Sequence, residues 1–189
     1  TLTFIATANS VRYLCAEPVF MDCDSSLCMD PVKLEAFCSS ECDIINDVLV
    51  HRDTGKFIRA LIIVHVFGNM ADMEKLMPIC QKYKLIVIED ATEALGTYYT
   101  KGIYKDNYAG TIGDIGVFSF NGNKIITTGG GGMIVSNNQE YLNRMHYLST
   151  QAKDDPLYYR HHEVGYNYRM TNLQAALGVA QLEQLENFI

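Results

Sequence analysis

No stretch of this 189-residue sequence stays apolar for the roughly 20 residues that a membrane-spanning helix needs, and no positively charged segment followed by an apolar one opens it. Neither membrane insertion nor secretion is indicated, so a reducing cytoplasm with free thiols is the expected setting. The six cysteines (Cys15, Cys23, Cys28, Cys38, Cys42, Cys80) form no C-x-x-C pair, and without that spacing neither a zinc site nor any other metal is expected. Basic residues are few: 15 Lys and Arg stand against 22 Asp and Glu, a formal net charge of -7. Nucleic acids and anionic membranes need clustered cations to displace counterions, so neither is expected as a partner. There is also no G-x-x-x-x-G-K-[ST], and no G-x-G-x-x-G between a strand and a helix with an acid on the next strand, which weakens NTPase and dinucleotide readings.

What is present is ordinary globular composition, 48% hydrophobic and 20% charged residues, far from that of a disordered chain. One domain is the simpler reading at this length. The chain begins without Met, and "TLTFIATANS" already reads as an interior segment, so a fragment is expected.

Apolar runs alternate with amphipathic ones. "PVFMDCD", residues 18–24, predicts a short strand, and Asp30-Pro31 supplies a cap and a first-turn proline for the helix "VKLEAFCSS". "INDVLVHRDTGKFIRA" predicts a hairpin turning at Asp53-Thr54-Gly55. "RALIIVHVF" and "LIVIEDA" read as strands covered on both faces, separated by a helix that Asp72 caps and Pro78 kinks or interrupts. "GVFSF" and "GMIVS" are further strands, and two helical patterns follow, the second opened by a Thr171 to Gln174 capping box. Alternation of this kind implies an α/β fold: right-handed crossovers and a mainly parallel sheet with helices on both faces.

In such a sheet, ligands gather at the carboxyl ends of the strands. Glu89 and Asp90 end one strand and Ser119 another. Asp90 alone reads equally as a cap of the following turn, and Lys124 alone as a solvated loop lysine. Their context is more informative. Lys124 follows Ser119, Asn121, Gly122 and Asn123, which offer hydroxyl, amide and backbone donors to a phosphate, and Gly129–Gly132 let the backbone pass close to another group. A lysine amine, a carboxylate and phosphate donors together suit pyridoxal 5'-phosphate (PLP): the lysine forms a Schiff base, the acid keeps the pyridine nitrogen protonated and the polar turn holds the phosphate.

"TFIATANSVRYLCAEPVFMDCD", "HVFGNMADM", "IEDATEALGT", "GDIGVFSFNGNKIITTGGGGMI" and "GYNYRMTNLQAALG" together resemble, in order and spacing over nearly the whole chain, the nucleotide-sugar aminotransferases of the DegT/DnrJ/StrS type, a branch of the fold-type-I PLP enzymes. The resemblance implies an aspartate-aminotransferase-like large domain, a three-layer α/β/α sandwich over residues 1–189, truncated at both ends and lacking the small carboxyl-terminal domain. It implies that Lys124 is the Schiff-base lysine and proton shuttle, that Asp90 pairs with the pyridinium nitrogen and that Ser119 bonds the phosphate. Phe4 would stack on the ring, and Asn167 would reach the phosphate of a partner subunit's cofactor, making a homodimer with shared active sites. His65 lies near the substrate site in relatives, with a packed strand-end histidine as the other reading. At position 93 many relatives carry Gln or His toward the ring's phenolic oxygen. An ionised Glu93 would be repelled there, so it either takes up a proton at the ring edge, which is the expectation, or points elsewhere.

The activity implied is amino transfer from an amino acid, glutamate by resemblance, to a nucleotide-linked keto-deoxysugar, most similar to the branch that aminates UDP-linked 4-keto-6-deoxy-N-acetylhexosamines. Three rivals stand beside it. A same-fold sugar dehydratase would carry histidine in place of Lys124; a catalytically idle regulatory relative would not need the whole set of site residues; a doubly wound binding domain would need no PLP.

Overall fold

The segment after Thr3 winds into a helix, α1 (Ile5–Tyr13), that the sequence does not announce: the residue before it is Phe4, whose side chain caps nothing, and none of its own residues is buried. The next stretch departs from expectation too. In place of a strand over residues 18–24 there is an isolated bridge, Cys23 with Met29. The reason is local: Asp24 Oδ1 accepts from the Ser26 N–H at 2.7 Å and the Ser26 hydroxyl at 2.5 Å, and the Asp24 N–H donates to Cys28 O. Asp and Ser thereby offer the backbone a turn that competes with extension. The computed structural model describes residues 2–155 and 157–189, and the chain divides into two compact units, Thr1–Phe118 and Ser119–Ile189.

In the first unit the cap signals hold. Asp30 accepts from the N–H groups of Val32 and Lys33 and starts α2 (Pro31–Glu41), with proline at the position where an N–H has no helical partner. An antiparallel sheet follows, β1 (Cys42–Ile45), β2 (Val48–His51) and β3 (Phe57–Ile58), in that order. The β2–β3 hairpin turns where predicted, with the Gly55 N–H on His51 O. Its companion β1–β2 was not predicted. Ile45 pairs with Val48 across Asn46-Asp47, both at positive φ (51° and 61°), the two-residue turn whose twist matches its strands.

Three parallel strands carry the rest of this unit: β4 (Ala60–Val64), β5 (Ile86–Asp90) and β6 (Ile115–Ser119), adjacent in that order. Between β4 and β5 runs α3 (Met73–Lys82), capped by Asp72. The helix runs through Pro78 without interruption, although proline there removes the N–H that would reach Glu74 O. Coverage of the strands on both faces is only partial. Ile63, Val87 and Glu89 are buried, whereas Ile62, Ile86 and Ile88, of opposite parity, are half-buried. The buried face joins Leu34, Cys38, Leu76 and Cys80 in one apolar cluster, with α3 packed on β5 and α2 on α3. The cysteines act there as small hydrophobes: burial pushes the Cys38 thiol up to about 12 and the Cys80 thiol up to about 11, so both stay protonated.

The second unit holds β7 (Gly132–Val135), α4 (Gln139–Ser149), α5 (Asn172–Leu182) and α6 (Leu185–Phe188). The expected capping box opens α5: the Gln174 N–H donates to Thr171 Oγ1 while Gln174 Oε1 accepts from the Thr171 N–H. Among the described residues no helix is long and apolar enough to cross a membrane.

Candidate active site

Strand β5 ends on two carboxylates, and the pleat separates them. Consecutive side chains on a strand point to opposite faces, so Glu89 shares the buried face with Val87 while Asp90 follows Ile88 to the half-buried one. Their environments then differ completely.

Glu89 is fully buried and surrounded by donors. Oε2 lies 2.8 Å from His65 Nε2 and accepts the Gly110 N–H at 2.9 Å; Oε1 accepts the N–H groups of Ile112 and Gly113 at 2.6 and 2.5 Å. Burial by itself would push the Glu89 carboxyl up. The His65 hydrogen bond and the backbone N–H groups outweigh it and hold the carboxyl below the usual carboxylate range. One buried anion therefore binds the strand ends to the loop before β6. That loop is so close that a Cβ on Gly116 would sit 1.8 Å from Gly110 O.

His65 is fully buried, and the two readings of it part here. Its Nδ1 accepts the Ala71 N–H at 3.1 Å, which leaves the ring proton on Nε2, donated to Glu89. Both ring nitrogens are thus engaged within the chain. Of the two readings, the packed strand-end histidine is the one these contacts describe.

Asp90 is held from two directions. Thr7 Oγ1 donates to Oδ2 at 2.7 Å and the Thr92 N–H donates to Oδ1 at 3.2 Å, while the Asp90 carbonyl accepts the His65 N–H in the parallel ladder. Phe4, 77% exposed, stands one residue before the helix that carries Thr7. Glu93 has a backbone partner: Oε2 accepts the Phe67 N–H at 2.8 Å, bracing a non-glycine residue at φ 55°.

The second unit builds a turn around Lys124. Ser119 Oγ accepts the Asn121 N–H at 3.3 Å, Asn121 O accepts the Lys124 N–H at 3.1 Å, and Asn121 Nδ2 donates to Asn123 Oδ1 at 3.1 Å. The loop leaves and returns at buried Phe120, whose carbonyl accepts from the Thr128 N–H and the Thr127 hydroxyl and whose N–H donates to Gly131 O. Lys124 is half-buried although residues 121–123 are exposed. Helix α5 supports the same loop: Gln181 Oε1 accepts the Thr127 N–H at 3.3 Å, and Gln174 Nε2 donates to Gly130 O at 3.5 Å. Gly131 sits at φ +103°, where a Cβ would meet Met170 Cε at 3.2 Å. Asn167 is exposed and forms a backbone bridge with Thr150, and its neighbours in sequence, Tyr166 and Tyr168, stack on each other with ring centroids 5.0 Å apart.

Within the first unit, then, the structure joins Asp90 to the start of α1 and Glu93 to the Val66–Gly68 turn that follows β4. Within the second it gathers Ser119 and Lys124 into one turn and leaves Asn167 on a separate segment. Thr7 and Glu89 were not singled out for these roles; for Glu89 the usable signal was two adjacent acids of opposite pleat parity, while nothing in spacing marks Thr7.

Parallel strands with helices packed against them make this an α/β protein, and in such sheets the carboxyl ends of the strands, where Asp90 stands, are where ligands gather. The chain belongs to the DegT/DnrJ/EryC1/StrS aminotransferase family, whose model matches residues 1–189. It is 41% identical over 189 residues to GDP-perosamine synthase of Escherichia coli O157:H7, covering 100% of this chain and 46% of that protein. With UDP-4-amino-4,6-dideoxy-N-acetyl-beta-L-altrosamine transaminase of Campylobacter jejuni it shares 34% identity over 193 residues, 98% of this chain and 45% of that one. The crystal structure of a DegT DnrJ EryC1 StrS aminotransferase from Brucella abortus superposes with a TM-score of 0.84 at 28% identity, over 98% of this chain and 46% of that one. The chain thus spans less than half the length of these relatives.

Proposed function

We propose that the protein of which this chain is part transfers an amino group from an amino acid to a nucleotide-linked keto-deoxysugar with the help of PLP. The observation that carries the reading is Asp90, a carboxylate at the end of a parallel strand with each oxygen fixed by a separate donor. The donor set fits the cofactor: a fixed carboxylate for a ring nitrogen, and a strand-end hydroxyl beside a half-buried lysine in a closed polar turn.

Bound PLP would supply an electron sink for the charge left when a proton leaves the amino donor. Asp90 would hold the ring nitrogen's proton and, being already oriented, would do so without reorganisation. Lys124 would be the covalent anchor and, once released, the base and then the acid that moves the proton. Ser119 would bond the phosphate. Phe4 would cover one ring face, and Asn167 would extend to the cofactor of a second subunit in a homodimer. Glu93 would act through the Phe67 turn that it braces.

For the sugar, we propose a 4-keto-6-deoxyhexose aminated at carbon 4, as the name of the Campylobacter jejuni relative suggests. The UDP-linked N-acetyl form is proposed from the likeness to that relative, and the GDP-linked sugar of the Escherichia coli relative is its competitor. Lysine at position 124 speaks against the dehydratase reading. The test is to incubate the full-length protein with PLP, glutamate and a panel of UDP- and GDP-linked keto-sugars and to weigh the products. A mass corresponding to replacement of the keto oxygen by an amine is expected, and recovery of every sugar unchanged would refute the reading.

A further inference from the structure

The Asp90 carboxylate has a second anchor far from its own turn. Thr7 lies 83 positions away in sequence, on α1, and its hydroxyl reaches Oδ2 at 2.7 Å. A carboxylate can only accept, so Thr7 is the donor and its single proton is committed there. In the 3.0 Å contact between Thr3 and Thr7 the proton must then come from Thr3. Thr3 and Thr7 are one helical turn apart, with Phe4 between them, and the Thr7 N–H donates to Phe4 O at 3.2 Å. A run of hydroxyls thus ties the turn bearing Phe4 to the acid at the end of β5.

The terminal torsion of an aspartate is broad, and one donor leaves the plane of the carboxylate poorly defined. Thr92 at Oδ1 and Thr7 at Oδ2 together define it, and each oxygen retains a lone pair for another donor. We infer that Thr7 is a positioning residue: its hydroxyl sets the rotation of the Asp90 carboxylate for the cofactor's ring nitrogen and ties the Phe4 turn to that acid. The inference rests on the PLP reading above.

The test uses the full-length protein, stripped of cofactor and titrated with PLP, in wild-type form and as Thr7→Val, Thr7→Ala and Thr7→Ser. Valine keeps the shape and removes the donor; serine keeps the donor and removes the methyl group. About tenfold weaker PLP binding is expected for Thr7→Val, the loss of one hydrogen bond to a charged group, with Thr7→Ala as a second donor-free variant should valine not fold. In both, the pH at which the visible band changes should move upward, because a ring less firmly held in its protonated form withdraws less charge from the lysine linkage. Thr7→Ser should restore affinity and profile. Wild-type affinity and profile in the donor-free variants would overturn the inference, as would a Thr7→Ser protein as impaired as Thr7→Val, which would assign the position to packing. A wild-type protein that takes up no PLP would overturn the functional reading and this inference together.

Discussion

His65 Nε2 and Glu89 Oε2 meet at 2.8 Å with both side chains wholly removed from solvent, and the Ala71 N–H on the far ring nitrogen sets the direction of the proton between them. Because this pair holds strand ends and loop together, removing His65 should act on stability. His65→Ala leaves a buried carboxylate short of one donor and should cost about 3 kcal/mol. The full-length protein's denaturation midpoint should fall, while the sugar KM of whatever remains folded stays within about twofold of wild type, a range too small for the loss of a substrate contact. A large KM rise at unchanged stability would instead favour the substrate role.

The same carboxylate predicts an acid limit. Glu89 is held below its ordinary value in the folded state, so its contribution is complete above the unfolded carboxylate range, near pH 4.3, and is lost as pH falls through the lower folded value. Glu89→Gln removes that dependence and also turns an amide toward the N–H groups of Gly110, Ile112 and Gly113. Stability at pH 7 should drop by about 2 kcal/mol or more, and the difference from wild type should narrow below about pH 4. Urea titrations at a series of pH values would show both.

Gly116→Ala should be far more damaging than a glycine-to-alanine change in an open strand. Its Cβ would have to occupy space 1.8 Å from a backbone carbonyl, and backbone cannot move aside as a side-chain tip can. A loss of about 3 kcal/mol or more is expected, read as insoluble protein or a collapsed thermal transition, whereas Gly122→Ala, with nothing within 4 Å of the new methyl, should be near neutral.

Gln174 has two tasks that can be separated. Its Oε1 completes the capping box of α5 and its Nε2 reaches Gly130 O. Gln174→Glu keeps the first and loses the second; Gln174→Ala loses both, with a cost of about 1 kcal/mol for the cap. Thermal unfolding should rank them wild type, Glu, Ala, and a Glu variant as unstable as the Ala one would remove the assigned cap.

Lys124→Ala in the full-length protein should abolish the near-ultraviolet to visible band of lysine-bound PLP and lower amino transfer by at least about a hundredfold. An unchanged band in that variant would place the covalent anchor elsewhere.

The parts of the fold legible in the sequence were those whose causes are close along the chain. Asp30-Pro31, Asp72 and Thr171 with Gln174 mark helix starts through side chains that bond N–H groups two or three residues on. The parallel strands announce themselves by apolar runs. Helix α1 was illegible because nothing caps it, and residues 18–24 misled because strand propensity there loses to the Asp24 turn. The site divides in the same way. Ser119, Asn121 and Lys124 interact within one short segment and could be read together. The contacts that orient Asp90 and ionise Glu89 come from residues 83 and 24 positions away, where no local pattern connects them.

Adjacency on β5 makes its length as well as its composition a constraint. The two terminal acids differ by a single step of the pleat, one turned toward four donors and the other toward Thr7 and Thr92. Deleting or adding one residue upstream in the strand would exchange their stations, stranding a carboxylate that lacks its clamp and sending its neighbour into a cage built for a longer side chain. Drift in this strand is therefore confined to substitutions that leave its odd and even positions in phase.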